Sequence, residues 1–336
     1  MTTPATAQPG MQKDALDNQA LIARGWAALP ASYRVPEVAP TLDEARAYCK
    51  QLAESHYEYF HVASWFLPKA LRPHFHSIYA YCRISDDLGD EVGDRSVALA
   101  LLDLWGRELD ECYAGRARHP VFVALSQTIQ ACSIPKEPFA DLLTAFRQDQ
   151  TVTRFADMDQ VLAYCHYSAN PVGRLVLYAC GEVSDENFKL SDATCSALQL
   201  ANFWQDVRSD FELRDRIYLP QDDMRRFGVS DETIASGVAT PEFRALMRHE
   251  VDYARAMFEE GLPLIGKVNR DLALDLDLFS RGGLEILRAI DRREYDVLSA
   301  RPAISKRTKL GLALRAVGGK LLPFMGLGKQ PQGKAA

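Results

Sequence analysis

The sequence predicts an all-α protein. Three observations carry this reading. Apolar residues recur at helical spacing from about Leu42 to Tyr295, Pro and Gly punctuate that run, and alternating strand patterns bounded by hairpin turns are nearly absent. The stretch "TLDEARAYCKQLAESHYEYF" opens the series: a threonine precedes Leu42, Ala45, Cys49, Leu52 and Ala53, the pattern of an N-capped amphipathic helix. Further helical stretches fall at 68–88, 96–113, 119–132, 136–148, 157–180, 190–212, 241–263 and 283–293, with breaks at Pro120, Pro135, Gly181, Pro220 and Gly228. No linker or composition shift interrupts this run. One large helical domain over 42–300 is therefore expected, behind a flexible leader (1–41) and ahead of a basic tail (301–336).

Composition narrows the function classes. With 47% hydrophobic and 25% charged residues in 336, the chain has the make-up of a globular protein with a sizeable core. Its net charge of -6 argues against general nucleic-acid binding, which needs a basic surface. There is no uninterrupted apolar run long enough to cross a bilayer, and the N-terminus lacks the basic and apolar regions of a secretory signal. Seven cysteines lie singly in apolar stretches without a CxxC pair, so reduced thiols in a cytoplasmic protein are expected. From Pro302 onward the chain carries Lys306, Arg307, Lys309, Arg315, Lys320, Lys329 and Lys334 and no acid, interleaved with apolar residues. This reads equally as a solvated basic tail or as a segment for peripheral contact with the inner membrane.

Two acidic stretches carry the chemistry. In "YAYCRISDDLGDE" (79–91), Asp86 and Asp90 share a helix face, with Arg83 one turn earlier. In "LANFWQDVRSDFELRDRIYLP" (200–220) and the residue before it, Gln199, Asn202, Asp206 and Asp210 recur three, four and four apart on an otherwise apolar helix. Either stretch alone could be a solvated helix surface, and neither has the ligand spacing of an EF-hand. Like charges at this spacing repel, and Mg²⁺ relieves such repulsion while bridging to phosphate oxygens. Two such faces in one helical chain point to a metal–diphosphate clamp.

Together with "YDVLSARPAISKRTKL" (295–310), these motifs resemble the squalene/phytoene synthase family, over His56 to Lys309. The resemblance implies the isoprenoid (terpenoid) synthase fold with a central active-site cavity. It places Mg²⁺ on Asp86, Asp90, Asn202, Asp206 and Asp210, and makes Arg83 a diphosphate-binding residue. It assigns His56, Phe60 and Tyr79 to the entrance and diphosphate, Tyr164 to the vicinity of the reacting carbons, and Gln199, Arg216 and Tyr218 to substrate binding. Three departures stand out: Gln205 where the family usually has arginine, "ANPVG" (Asn170, Pro171) in the cavity wall, and glycine in "RGGLEIL". These features are similar to bacterial hydroxysqualene synthases of hopanoid pathways, which convert presqualene diphosphate and water to hydroxysqualene and diphosphate. Head-to-head condensation of two prenyl diphosphates and a non-catalytic lipid-binding or assembly role are the alternatives. Other squalene-pathway enzymes are the expected protein partners.

Overall fold

The computed structural model describes residues 9–55 and 68–304, with side chains from Asn18 onward. Helices dominate, and the described residues contain no β-strand, only an isolated bridge between Arg154 and Ile217. The chain divides into two compact units: one of Met1–Ser64, Lys69–Val152 and Tyr178–Gly181, the other of Trp65–Pro68, Thr153–Leu177 and Glu182–Ala336. Sequence periodicity could not show this division, because no linker marks it.

The first unit contains α1 (Pro9–Ala28), α2 (Leu42–Ser55), α3 (Arg72–Asp90), α4 (Arg95–Tyr113), α5 (Pro120–Cys132) and α6 (Glu137–Gln148). Within 1–41, the segment read from sequence as a leader, Pro9–Ala28 forms α1, which packs on α4 and is tied to it by an Arg24–Asp94 ion pair. Leu21, Gly25 and Leu29 recur every four residues and give α1 one small or apolar face; Leu29 and, beyond it, Tyr33 are buried. Thr41 caps α2 as expected, reciprocally: the Glu44 N–H donates to Thr41 Oγ1 at 3.3 Å, and the Thr41 N–H donates to Glu44 Oε2 at 2.8 Å. Asp94 and His119 cap α4 and α5 by accepting from Val97 and Val121. Tyr81 of α3, Trp105, Phe122 and Phe139 form the centre of this unit, with Trp105 and Phe122 ring centres 4.5 Å apart. The Tyr81 hydroxyl donates to the Phe139 carbonyl at 2.7 Å, which fixes the rotation of α3 about its axis.

The second unit is built around one 30-residue helix, α9 (Asp185–Arg214). The others are α7 (Met158–Ser168), α8 (Asn170–Cys180, to residue 177 in this unit), α10 (Gln221–Phe227), α11 (Asp231–Ala235), α12 (Pro241–Gly261) and α13 (Arg270–Arg292). The single helix expected over 157–180 is broken at Ala169, since Pro171 has no N–H to continue the ladder. Helix α9 packs against α7, α11, α12 and α13. Trp204 is fully buried and donates its indole N–H to the Glu250 carbonyl of α12 at 3.1 Å. Glycine permits the closest approaches. A Cβ on Gly173 would fall 2.3 Å from Ser191 Oγ, and one on Gly283 2.3 Å from the Phe258 ring. The glycine of "RGGLEIL" at 283 thus sits where no side chain fits.

Helix α9 ends at Asp215, which adopts a left-handed conformation (φ 49°). The turn is braced from several sides. The Arg216 N–H donates to the Asp210 carbonyl at 3.1 Å, and the Ile217 N–H to the Thr153 carbonyl at 2.9 Å. Arg154 reaches Asp215 Oδ1 at 2.7 Å and Asp231 Oδ2 at 3.0 Å.

Candidate active site

On α3 the aromatic core lies on one side, and Tyr79, Arg83, Asp86 and Asp90 follow one another at spacings of four, three and four along a second stripe. Arg83 sits 3.8 Å from Asp86 but is gripped by Asp87: Nη2 donates to Oδ1 at 2.5 Å and Nε to Oδ2 at 3.2 Å. Asp87 was not among the residues expected to matter. Its side chain is 8% exposed, and the buried Tyr33 hydroxyl donates to its Oδ2 at 2.5 Å. Burial, and then the carboxylate it serves, hold the Tyr33 phenol well above its ordinary range. Asp87 therefore orients Arg83, while Asp86 is half-buried and Asp90 is exposed at the end of the helix.

On α9 the stripe of Gln199, Asn202, Asp206 and Asp210 is present at the expected register, with Asn202 exposed and the other three half-buried. Burial, and next the neighbouring Asp206, push the Asp210 carboxyl up to about 6; Arg214, Arg216 and Arg301 pull the other way. Arg301, which had no assigned role, forks onto Asp206: Nε pairs with Oδ1, and Nη2 donates to Oδ2 at 2.8 Å. Ser209 Oγ also reaches Asp206 Oδ1, at 3.3 Å. Arg216 is buried and donates to the Tyr218 hydroxyl at 3.0 Å.

Tyr218 joins this polar end to an aromatic cluster. Its ring stacks on Phe203 with centres 3.6 Å apart and planes at 7°. Phe155 lies 5.5 Å and Tyr164 5.7 Å from the same ring. All four side chains are buried. Such faces stabilise a cation without offering it a nucleophile. Asn170 is buried at the head of α8, where its Oδ1 accepts from Ser196 Oγ at 2.9 Å, which fixes the orientation of the amide. The sequence-predicted positions His56 and Phe60 lie outside the described residues, as does the tail beyond Ile304.

The donor set fits a hard cation. It is entirely oxygen, and the Asp206–Asp210 repulsion is the kind that a cation relieves. Among the described residues no three His, Cys, Asp or Glu side chains form a ready-made metal cage. One or two carboxylates completed by phosphate oxygens is the usual arrangement for Mg²⁺. None of the seven cysteines forms a disulfide; burial pushes the thiols of Cys49, Cys112 and Cys165 up to about 12, so these three are poor ligands.

A helical fold with two aspartate stripes, arginines beside each, and a buried aromatic wall defines a prenyl diphosphate-processing protein of the isoprenoid synthase class. Comparison with known proteins specifies it further. Residues 53–308 match the squalene/phytoene synthase family profile, and the chain belongs to that family, which joins prenyl diphosphates head to head. Phytoene synthase 1 of Zea mays is 31% identical over 84% of this chain and 70% of its own length. Among solved structures, the squalene synthase HpnC of Alicyclobacillus acidocaldarius is 43% identical with a TM-score of 0.73, covering 81% of this chain and 99% of that one. A dehydrosqualene synthase solved with a ligand is 26% identical with a TM-score of 0.75, over 82% of this chain and 96% of that one. No described helix is long and apolar enough to cross a membrane.

Proposed function

We propose that this protein converts presqualene diphosphate and water to hydroxysqualene and diphosphate, as a carbon–oxygen lyase acting on a phosphate ester in squalene and hopanoid biosynthesis. The observation that carries the reading is Asn170, a buried amide held in a fixed orientation by Ser196 at the head of the helix that follows Tyr164. The 43% identity to HpnC supports the same branch of the family.

In this reading Asp86 and Asp90 on α3, and Asn202, Asp206 and Asp210 on α9, are the residues that would hold Mg²⁺, which would supply charge stabilisation for the leaving diphosphate. Arg83, aimed by Asp87, and Arg216 would each supply fixed positive charge to diphosphate oxygens. The carbon–oxygen bond breaks and its electron pair leaves with the diphosphate. The rings of Tyr164, Phe203, Tyr218 and Phe155 then face the C30 cation, worth up to about 2 kcal/mol when desolvated. Asn170 orients one water, whose oxygen forms the new bond and whose proton returns to solvent or diphosphate.

The test supplies purified protein with presqualene diphosphate in ¹⁸O-water, with and without NADPH. A labelled C30 alcohol formed without NADPH is the expected product. An unlabelled hydrocarbon that requires NADPH would overturn the reading. The match to phytoene synthases favours a second one, condensation of two prenyl diphosphates. Incubation with farnesyl or geranylgeranyl diphosphate alone, and the carbon number of the product, separates the two.

A further inference from the structure

We propose that Gln205 is a positioning residue, whose buried amide holds Arg301 in register on Asp206. Gln205 is 6% exposed, and both ends of its amide are used. Nε2 donates to the Pro302 carbonyl at 2.5 Å, and Oε1 accepts from Arg301 Nη2 at 3.0 Å. The same Nη2 donates to Asp206 Oδ2 at 2.8 Å. One side chain of α9 thus grips two consecutive residues of the C-terminal segment and sets the direction of the guanidinium that the first of them carries.

The charge pair alone does not account for this geometry. The Arg301 side chain is 57% exposed, and exposed ion pairs contribute little and are readily exchanged for water. A long side chain with many rotamers is held only where its fork meets a second fixed acceptor, and Gln205 Oε1 is that acceptor. The segment has its own anchors besides. Arg208 Nη1 donates to the Leu298 carbonyl at 2.8 Å, and Val297, Leu298 and Ile304 are buried. Loss of Gln205 therefore frees the arginine without releasing the segment. The consequence falls on Asp206. Its Oδ1 accepts from both Arg301 Nε and Ser209 Oγ and its Oδ2 from Arg301 Nη2, which gives the carboxylate one preferred rotamer. An ionised carboxylate has about four acceptor sites, so the fork leaves some for a cation.

This inference rests on the reading of Asp206 as a ligand for Mg²⁺ and diphosphate, and the experiment separates the two. Full-length wild type, Gln205→Leu, Arg301→Gln and the double variant are compared in two measurements. Hydrogen exchange of the metal-free proteins follows the amides of 299–304. Calorimetry follows Mg²⁺-dependent binding of inorganic diphosphate. Because Gln205 acts through Arg301, each single variant should weaken diphosphate binding by about tenfold, the worth of one charge-assisted hydrogen bond, and the double variant by no more than either. Exchange at 299–304 and along α9 should stay as in wild type in Gln205→Leu, because the segment keeps its own anchors. Additive losses, or a Gln205→Leu protein that binds like wild type, would overturn the positioning role. Failure of wild type to bind diphosphate with Mg²⁺ would overturn the reading of Asp206, and the purpose assigned to Gln205 with it. Should Gln205→Leu not fold, the unbranched Gln205→Met replaces it in the same cycle.

Discussion

An arginine fork grips a carboxylate beside the first acidic stripe and another within the second, and the two grips are built in opposite ways. On α3 the arginine comes from one turn earlier on the same helix, and it closes on Asp87, a buried neighbour of the candidate ligands. Tyr33 covers that pair, and Asp86 and Asp90 stay outside the fork. On α9 the arginine arrives from 95 residues away and closes on a candidate ligand itself, Asp206. The first grip is a matter of helix geometry and burial. The second depends on one amide, Gln205, and on the whole chain having folded. Positive charge beside the first stripe is thus set locally, and beside the second it is set by tertiary structure.

The largest expected effect is on catalysis, and it should be the same for both stripes. Asp86→Asn and Asp206→Asn should each reduce turnover by at least about 10²-fold with helical circular dichroism intact. Near-normal turnover in either would break the equivalence of the stripes. The next test separates the two grips. Asp87→Ala leaves Arg83 and the Tyr33 hydroxyl without their acceptor in a buried place, so urea unfolding should show a loss of about 3 kcal/mol. Arg301→Gln, on an exposed pair, should cost less than about 1 kcal/mol. Equal losses would mean that the contrast between them is wrong.

Two buried acids, one from each unit, give a second contrast. Asp87 keeps its partners, whereas Glu250 on α12 is fully buried and neither carboxyl oxygen has a hydrogen-bond partner. Burial, and then Asp223 and Asp222 of α10, push its pKa up to about 8. The folded protein therefore holds this proton to higher pH than the unfolded chain does. Its stability contribution is lost as pH rises from the ordinary glutamate range through about 8. Thermal or urea unfolding should show wild type losing about 2 kcal/mol between pH 6 and 9 through this group, and Glu250→Gln removing that dependence. A smaller effect than that of Asp87→Ala belongs to the seal on the first grip. Tyr33→Phe should cost about 1.5 kcal/mol, the value of one hydrogen bond to a charged group, and a smaller loss would place the strength of the grip in Arg83 alone.

The two stripes were readable in the sequence because each is a helix face, and residues three and four apart share a face whatever the rest of the chain does. Helix positions were readable for the same reason, down to the cap at Thr41 and the breaks at Pro120, Gly181 and Gly228. Asp87 was not singled out. The run "SDDLGD" offers three acids, and which of them is buried depends on the rotation of α3, which the Tyr81–Phe139 bond settles from another helix. Arg301 and Gln205 were out of reach for a plainer reason: no local pattern relates residues so far apart. Helix α1 escaped notice because its face is made partly of Gly25. The first half of α13 escaped because acids alternate with leucines in "DLALDLDL", which hides the apolar face.

The left-handed turn at Asp215 has a consequence for how such a protein can change. It places Arg216 at the polar end and Tyr218 in the aromatic wall, two residues apart on one braced reversal, with the Arg216 backbone tied to Asp210. Inserting or deleting a residue there would displace Arg216 and the Tyr218 ring together, and with them both roles that the proposed function gives this turn. Phe155 and Tyr164 pack on the same Tyr218 ring but belong to other elements, so they can change without moving the turn. The turn is a hub where a buried guanidinium and a buried ring share one backbone reversal, and it directs evolutionary change to the positions around it.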